Sequence, residues 1–125
     1  MEKKENGLIE SLPKELKKKV EDTVKNLKEE HKIDDVWVFV SNKVKPDGEP
    51  YIGYAKRVES LTEMSRYISY VTEDPVVANH KLAEMCLLPA GDRDYLITEK
   101  GYLSSGLFAQ ISQVIEQTQS EFKVF

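Results

Sequence analysis

Side chains able to do chemistry are few in this chain and poorly arranged for it. Acids come in pairs at Asp34 and Asp35, Glu73 and Asp74, and Asp92 and Asp94. Two carboxylates divide into general acid and general base only when burial drives their pKa values apart. All three pairs stand instead beside turn residues or at the ends of periodic segments, where acids cap helices and solvate loops. His80 and Glu84 share a face if their segment is helical, but two ligands do not make a metal site. The single cysteine, Cys86, lies in Glu-Met-Cys-Leu-Leu, the setting of a buried, inert thiol and not of a nucleophile. The glycine patterns that cradle phosphates are absent, and the six glycines are scattered singly as turn formers. The expectation is a protein that is not an enzyme and takes no cofactor and no metal.

The elements that would position these residues belong to one small domain. A chain of 125 residues, 40% hydrophobic and 32% charged, has enough apolar surface for one core without disulfides. One cysteine argues for a reducing compartment, hence a cytoplasmic location. The first residues are charged, with no apolar signal core, and no apolar run approaches membrane-spanning length. The net charge is −4, and it is unevenly spread. Residues 1–33 hold nine lysines against eight acids, whereas residues 34–125 hold nine basic residues against 14 acids. Nucleic acid therefore lacks the concentrated positive face that phosphate binding requires. The run Lys17-Lys18-Lys19, with Glu15, Glu21 and Asp22 beside it, reads as a solvated helix face.

Residues 1–11 read as a flexible N-terminus and residues 12–125 as a single α+β domain. Ser11 is the expected N-cap of a first helix, with Pro13 in its tolerant first turn. Leu16, Val20, Val24 and Leu27 form its apolar stripe, which ends near His31. A hairpin follows, from Asp35-Val-Trp-Val-Phe-Val-Ser41 to Tyr51-Ile-Gly-Tyr-Ala55 across a Pro-Asp-Gly turn. Val36, Val38 and Val40 point one way and Trp37 and Phe39 the other, which predicts a central strand covered on both faces. Leu61, Met64, Ile68 and Val71 mark a central helix, and Pro75 forces a break or a fresh start. Residues 76–90 fit a helix or, in their latter part, a strand. A tight turn at Gly91 leads to an expected strand at 95–98. Ser104 or Ser105 then caps a last helix carrying Leu107, Ile111, Val114, Ile115 and Phe122. The expected architecture has three layers: a central antiparallel sheet flanked by the N-terminal, central and C-terminal helices.

Trp37, Phe39, Tyr51, Tyr54, Tyr67 and Tyr70 supply more rings than one side of a small core usually needs. Either they all fill the core, or some form a dimer or partner face. Trp37, Phe39, Met64, Tyr67 and Tyr70 are the candidates for the second role, because aromatics give large contact area at low entropic cost.

Three stretches resemble the roadblock (dynein light chain) family, which is related in shape to the longin and profilin domains. Asp35-Val-Trp-Val-Phe-Val-Ser with Asp47-Gly-Glu-Pro-Tyr-Ile is similar to its first hairpin. Leu87-Leu-Pro-Ala-Gly-Asp-Arg-Asp-Tyr-Leu-Ile is similar to its late hairpin, and Ser104-Ser-Gly-Leu-Phe-Ala-Gln-Ile to the opening of its last helix. The resemblance spans residues 12–122 and rests on the order of elements. It implies a non-catalytic homodimer that serves as a platform for a small GTPase or a cytoskeletal protein. A profilin-like relative that binds an actin-type monomer would share much of this order, although the first helix lacks that group's aromatic residues. The rival is a winged helix that binds DNA as a transcriptional regulator. In that reading Leu61-Thr-Glu-Met-Ser-Arg-Tyr-Ile and Leu82-Ala-Glu-Met-Cys-Leu-Leu are similar to the helices, and Asp92-Arg-Asp-Tyr-Leu-Ile-Thr-Glu-Lys-Gly101 to the wing. Its recognition helix would open with Glu73, Asp74 and Pro75 and offer only Lys81 as a cation, which is poor chemistry for phosphates.

Overall fold

The computed structural model describes residues 7–116 and 121–125. Helix and strand are mixed, as expected, and the strands are few. In chain order the elements are α1 (Gly7–Glu10), α2 (Lys14–His31), β1 (Trp37–Val44), β2 (Pro50–Ala55), α3 (Leu61–Glu73) and α4 (Pro75–Cys86). Short helices α5 (Arg93–Leu96) and α6 (Glu99–Ser104), a 3-10 turn (Leu107–Ala109) and α7 (Gln113–Glu116) complete the described chain.

Local chemistry explains most of the boundaries. The N-cap position of α2 falls at Pro13 and not at Ser11, whose hydroxyl instead donates to the Leu8 carbonyl at 3.0 Å. Lys32 ends α2 in the left-handed conformation, φ 55°. The hairpin turn uses Gly48 at φ 91°, and the Asp47 carboxylate accepts the Glu49 N–H at 2.9 Å. Ser60 caps α3 through the Glu63 N–H at 3.0 Å. Pro75 occupies the first turn of α4, and Asp74 caps that helix by accepting from Val76 and Val77. The ambiguous 76–90 segment is thus helical to Cys86.

The sheet departs from expectation. Among the described residues it consists of β1 and β2 alone, antiparallel, with Trp37 opposite Ala55, Val38 opposite Tyr54, Phe39 opposite Gly53 and Val40 opposite Ile52. The strand expected at 95–98 is helical: Tyr95 and Leu96 both donate to the Asp92 carbonyl, and Ile97 to that of Arg93. Helical geometry buries Leu96 completely and brings α6 against α5, so close that a Cβ on Gly101 would lie 1.9 Å from the Tyr95 carbonyl oxygen. The late hairpin and the extended wing expected over this stretch are therefore turns of helix. The continuous last helix is also broken. Gly106 sits at φ 86°, and the hydrogen bonds that follow are mostly of the i to i+3 kind, from Ala109, Gln110, Gln113 and Val114, with one i to i+4 bond from Ile111 to Leu107. Phe122, assigned to that helix, is exposed, and residues 117–120 lie outside the described residues.

The alternation of β1 divides the interior in two. Trp37 and Phe39 pack on one core, built from Leu82 and Cys86 of α4 with Leu96, Leu107, Ile111 and Val114. Val36, Val38 and Val40 pack on the other, with Val20 and Leu27 of α2, Ile52, Tyr54 and Leu88. Both faces of β1 are covered, as its sequence demands, yet the strand is an edge strand and not a central one. Two apolar faces specify two packing partners; they say nothing about hydrogen-bond neighbours.

Candidate functional site

The two edges of the hairpin are treated differently. Along and just beyond β2, outer backbone groups bond residues 86–92. Leu88 N–H donates to the Tyr54 carbonyl at 2.7 Å, Asp92 N–H to the Ile52 carbonyl at 2.8 Å, and Lys56 N–H to the Cys86 carbonyl at 3.0 Å. The Asp92 carboxylate accepts the Ile52 N–H at 2.8 Å and lies 3.3 Å from the Lys45 ammonium. Arg93 fixes this segment from behind, donating to the Leu87 and Glu84 carbonyls at 3.0 Å each. Gly91, Asp92 and Arg93, which carried the resemblance to a hairpin turn, are thus an edge clasp.

Antiparallel pairing makes successive residues point their backbone groups alternately to the two sides. Since Ile52 and Tyr54 face the clasp, Gly53 and Ala55 face β1, and their partners Phe39 and Trp37 exchange the ladder bonds. Val38 and Val40 then turn their N–H and C=O groups to the free edge of β1. That edge forms the floor of a groove of about 920 Å³. Leu8 and Ile9 of α1 line one bank, and Leu107, Ile111 and Val114 of the C-terminal turns line the other. Trp37, Val38, Phe39 and Val40 lie between them, and Asn42, Ser105 and Gln110 add polar groups to the lining. The Trp37 indole N–H is buried without a hydrogen-bond partner, a condition that costs about 1–3 kcal/mol. The Arg57 guanidinium lies 5.7 Å from the centre of the same ring system.

Of the five residues singled out from the sequence, the structure brings Trp37 and Phe39 together in this groove. Met64, Tyr67 and Tyr70 stand elsewhere, on α3, which packs on α4. The Tyr67 hydroxyl bonds the Asn79 side chain at 2.9 Å, and its ring packs on the same core as Trp37. Lys81 lies 5.9 Å from the Tyr70 ring. Sequence reasoning missed Leu8 and Ile9, whose adjacent apolar side chains were the signal available within a stretch read as flexible.

The residues with chemical potential are used structurally. His80 Nε2 is 2.7 Å from the Ile97 carbonyl, and its ring meets Tyr102 edge-on at 4.9 Å. Cys86 is fully buried, and burial pushes its thiol up to about 11, so it is protonated at neutral pH. Asp74 caps α4, and Asp92 is spent on the Ile52 N–H and Lys45. Among the described residues no three His, Cys, Asp or Glu side chains converge to hold a metal ion. No helix among them is long and apolar enough to cross a membrane. Comparison with protein-family models, with curated proteins and with solved structures gives no match.

Proposed function

We propose that the chain is a non-enzymatic protein-binding platform that accepts an extended apolar segment of a partner protein along β1. The open edge of β1, lying on the floor of a groove with apolar side chains on both banks, is the observation that carries this reading. An exposed edge invites an added strand: main-chain bonds supply affinity and flanking pockets supply selectivity. The partner's carbonyls and amides meet those of Val38 and Val40, and its alternate side chains meet the two apolar banks. In this reading the body is a three-layer cytoplasmic domain, with α2 behind one face of the hairpin and α4 with the C-terminal turns behind the other. A small GTPase or a cytoskeletal protein is the partner class that the roadblock resemblance favours. A second copy of the chain, pairing edge to edge, makes the homodimer.

The test is titration with a synthetic heptapeptide of alternating valine and lysine, followed by amide NMR. The Val38 and Val40 amides should shift and slow their exchange, while those of Ile52 and Tyr54 at the clasped edge stay unchanged. Peptide at millimolar concentration that moves neither edge overturns the reading. Light scattering over a concentration series reports self-pairing separately.

A further inference from the structure

The groove at the free edge of β1 is uncharged in a heavily charged chain. Among the described residues that line it, none is Asp, Glu, Lys, Arg or His, although 32% of the chain is charged. Charges begin where the lining ends. Glu10 follows Ile9 but is paired with Lys17 at 2.9 Å. Lys43 follows Asn42 and is exposed. The Arg57 guanidinium lies 5.7 Å from the centre of the Trp37 ring and is not part of the lining. The two banks also differ in what they offer. Ile9 packs with the core on the valine face of β1, so the bank formed by Leu8 and Ile9 is wholly apolar. The opposite bank stands on the Trp37 and Phe39 face, where Gln110 and Gln113 join Leu107, Ile111 and Val114. Both glutamines are exposed, and the Gln113 amide donates to the Gln110 side-chain oxygen.

A strand added to the free edge points successive side chains to opposite banks. Those turned toward α1 meet aliphatic carbon. Those turned toward the glutamines meet amides, which hydrogen-bond a hydroxyl or another amide but cannot neutralise a charge. Moving an ionised side chain from water to either bank, with no counter-charge there, is unfavourable. We propose that the groove selects an uncharged extended segment of a partner protein, in which aliphatic residues facing α1 alternate with threonine, serine, asparagine or glutamine facing Gln110 and Gln113. This inference rests on the platform reading and supplies the chemistry of its partner. Lysine is accepted at a cost, because its long stem lies along apolar surface and carries the ammonium out of the open groove. Glutamate has a shorter stem and is excluded more strongly.

The experiment titrates the full chain with three heptapeptides with blocked ends, in which valine alternates with threonine, lysine or glutamate. The Val38 and Val40 amides are the reporters. The threonine peptide should bind on the order of tenfold more tightly than the lysine peptide, and the glutamate peptide most weakly. That order should persist at high salt, which screens the long-range field of the acidic chain but not desolvation in the groove. A second arm uses Gln110→Glu, which keeps an acceptor for the Gln113 amide and sets one negative charge on the bank. The Gln110 side chain is exposed, so both cores stay intact. The lysine peptide should then gain on the order of tenfold, and the threonine peptide little. Lysine bound as tightly as threonine by the native chain, or an order that Gln110→Glu leaves unchanged, overturns the uncharged-partner assignment and leaves the platform standing. No shift at Val38 or Val40 with any of the three peptides removes both.

Discussion

The two long edges of one hairpin face opposite fates. Beyond β2, a segment 34–40 residues later in the chain bonds the Tyr54 carbonyl and both the carbonyl and the N–H of Ile52, the last through the Asp92 carboxylate. Beyond β1, Val38 and Val40 face an open groove. A two-stranded sheet is marginal by itself, so one edge has to be tied into the body for the hairpin to hold its register. The other edge can then stay open without endangering the fold. The clasped edge belongs to stability and the open edge to recognition, and substitutions should separate the two.

The largest effect is expected at Gly91. It occupies φ 63°, and a Cβ there would lie 2.5 Å from the Ile52 carbonyl oxygen and 2.9 Å from the Tyr54 ring. Both neighbours belong to β2, and the nearer is backbone. Gly91→Ala should therefore cost about 3 kcal/mol, combining left-handed strain with forced separation of the clasp. Denaturant unfolding measures it. A loss below about 0.5 kcal/mol would show that the clasp does not hold the edge.

Asp92→Ala comes next. It removes the acceptor from a buried strand amide, the Ile52 N–H, and leaves the Lys45 ammonium unpaired. The expected cost is about 2 kcal/mol, with Asp92→Asn losing about half of that because one carbonyl oxygen remains to accept. Exchange of the Ile52 amide should rise in both variants, while peptide binding at β1 changes little. A variant that lost peptide binding but kept its stability would reverse the assignment of the two edges.

The clasp shows where sequence reasoning stops. Local patterns revealed the hairpin, the stripe of α2, the central helix and its restart at Pro75, because each signal lies within one turn or one strand. Asp92 was legible only as an acid beside a turn, since its partner Ile52 is 40 residues away and nothing in either neighbourhood announces the other. Tyr95-Leu-Ile-Thr reads as a strand by side-chain preference, but Asp92 opens a helical turn there and complete burial of Leu96 overrides the preference. Part of the candidate site was visible: Trp37 and Phe39 stood out by type. Their neighbours on the banks did not, because Leu8, Leu107 and Val114 reach the groove from both ends of the chain. The alternation in β1 announced two covered faces, and the open edge is perpendicular to both, so no pattern of side chains could report it.

The smallest effect sharpens the comparison most, because it isolates electrostatics at the clasp. The Lys45 ammonium lies 3.3 Å from the Asp92 carboxylate, with about a quarter of each side chain accessible to solvent, and 5.9 Å from the Tyr51 ring. Water screens such a pair, so Lys45→Gln should cost only about 0.5 kcal/mol. Added salt should shrink that difference, whereas the Asp92→Ala loss, which comes mainly from an unsatisfied amide, should persist. A double-mutant cycle on Lys45 and Asp92 separates the two contributions, and a coupling near 0.5 kcal/mol is expected. A coupling that accounted for most of the Asp92→Ala loss would make the clasp an ion pair with an incidental hydrogen bond. The edge of β2 would then loosen at high salt and become, like β1, a surface on which another strand could pair.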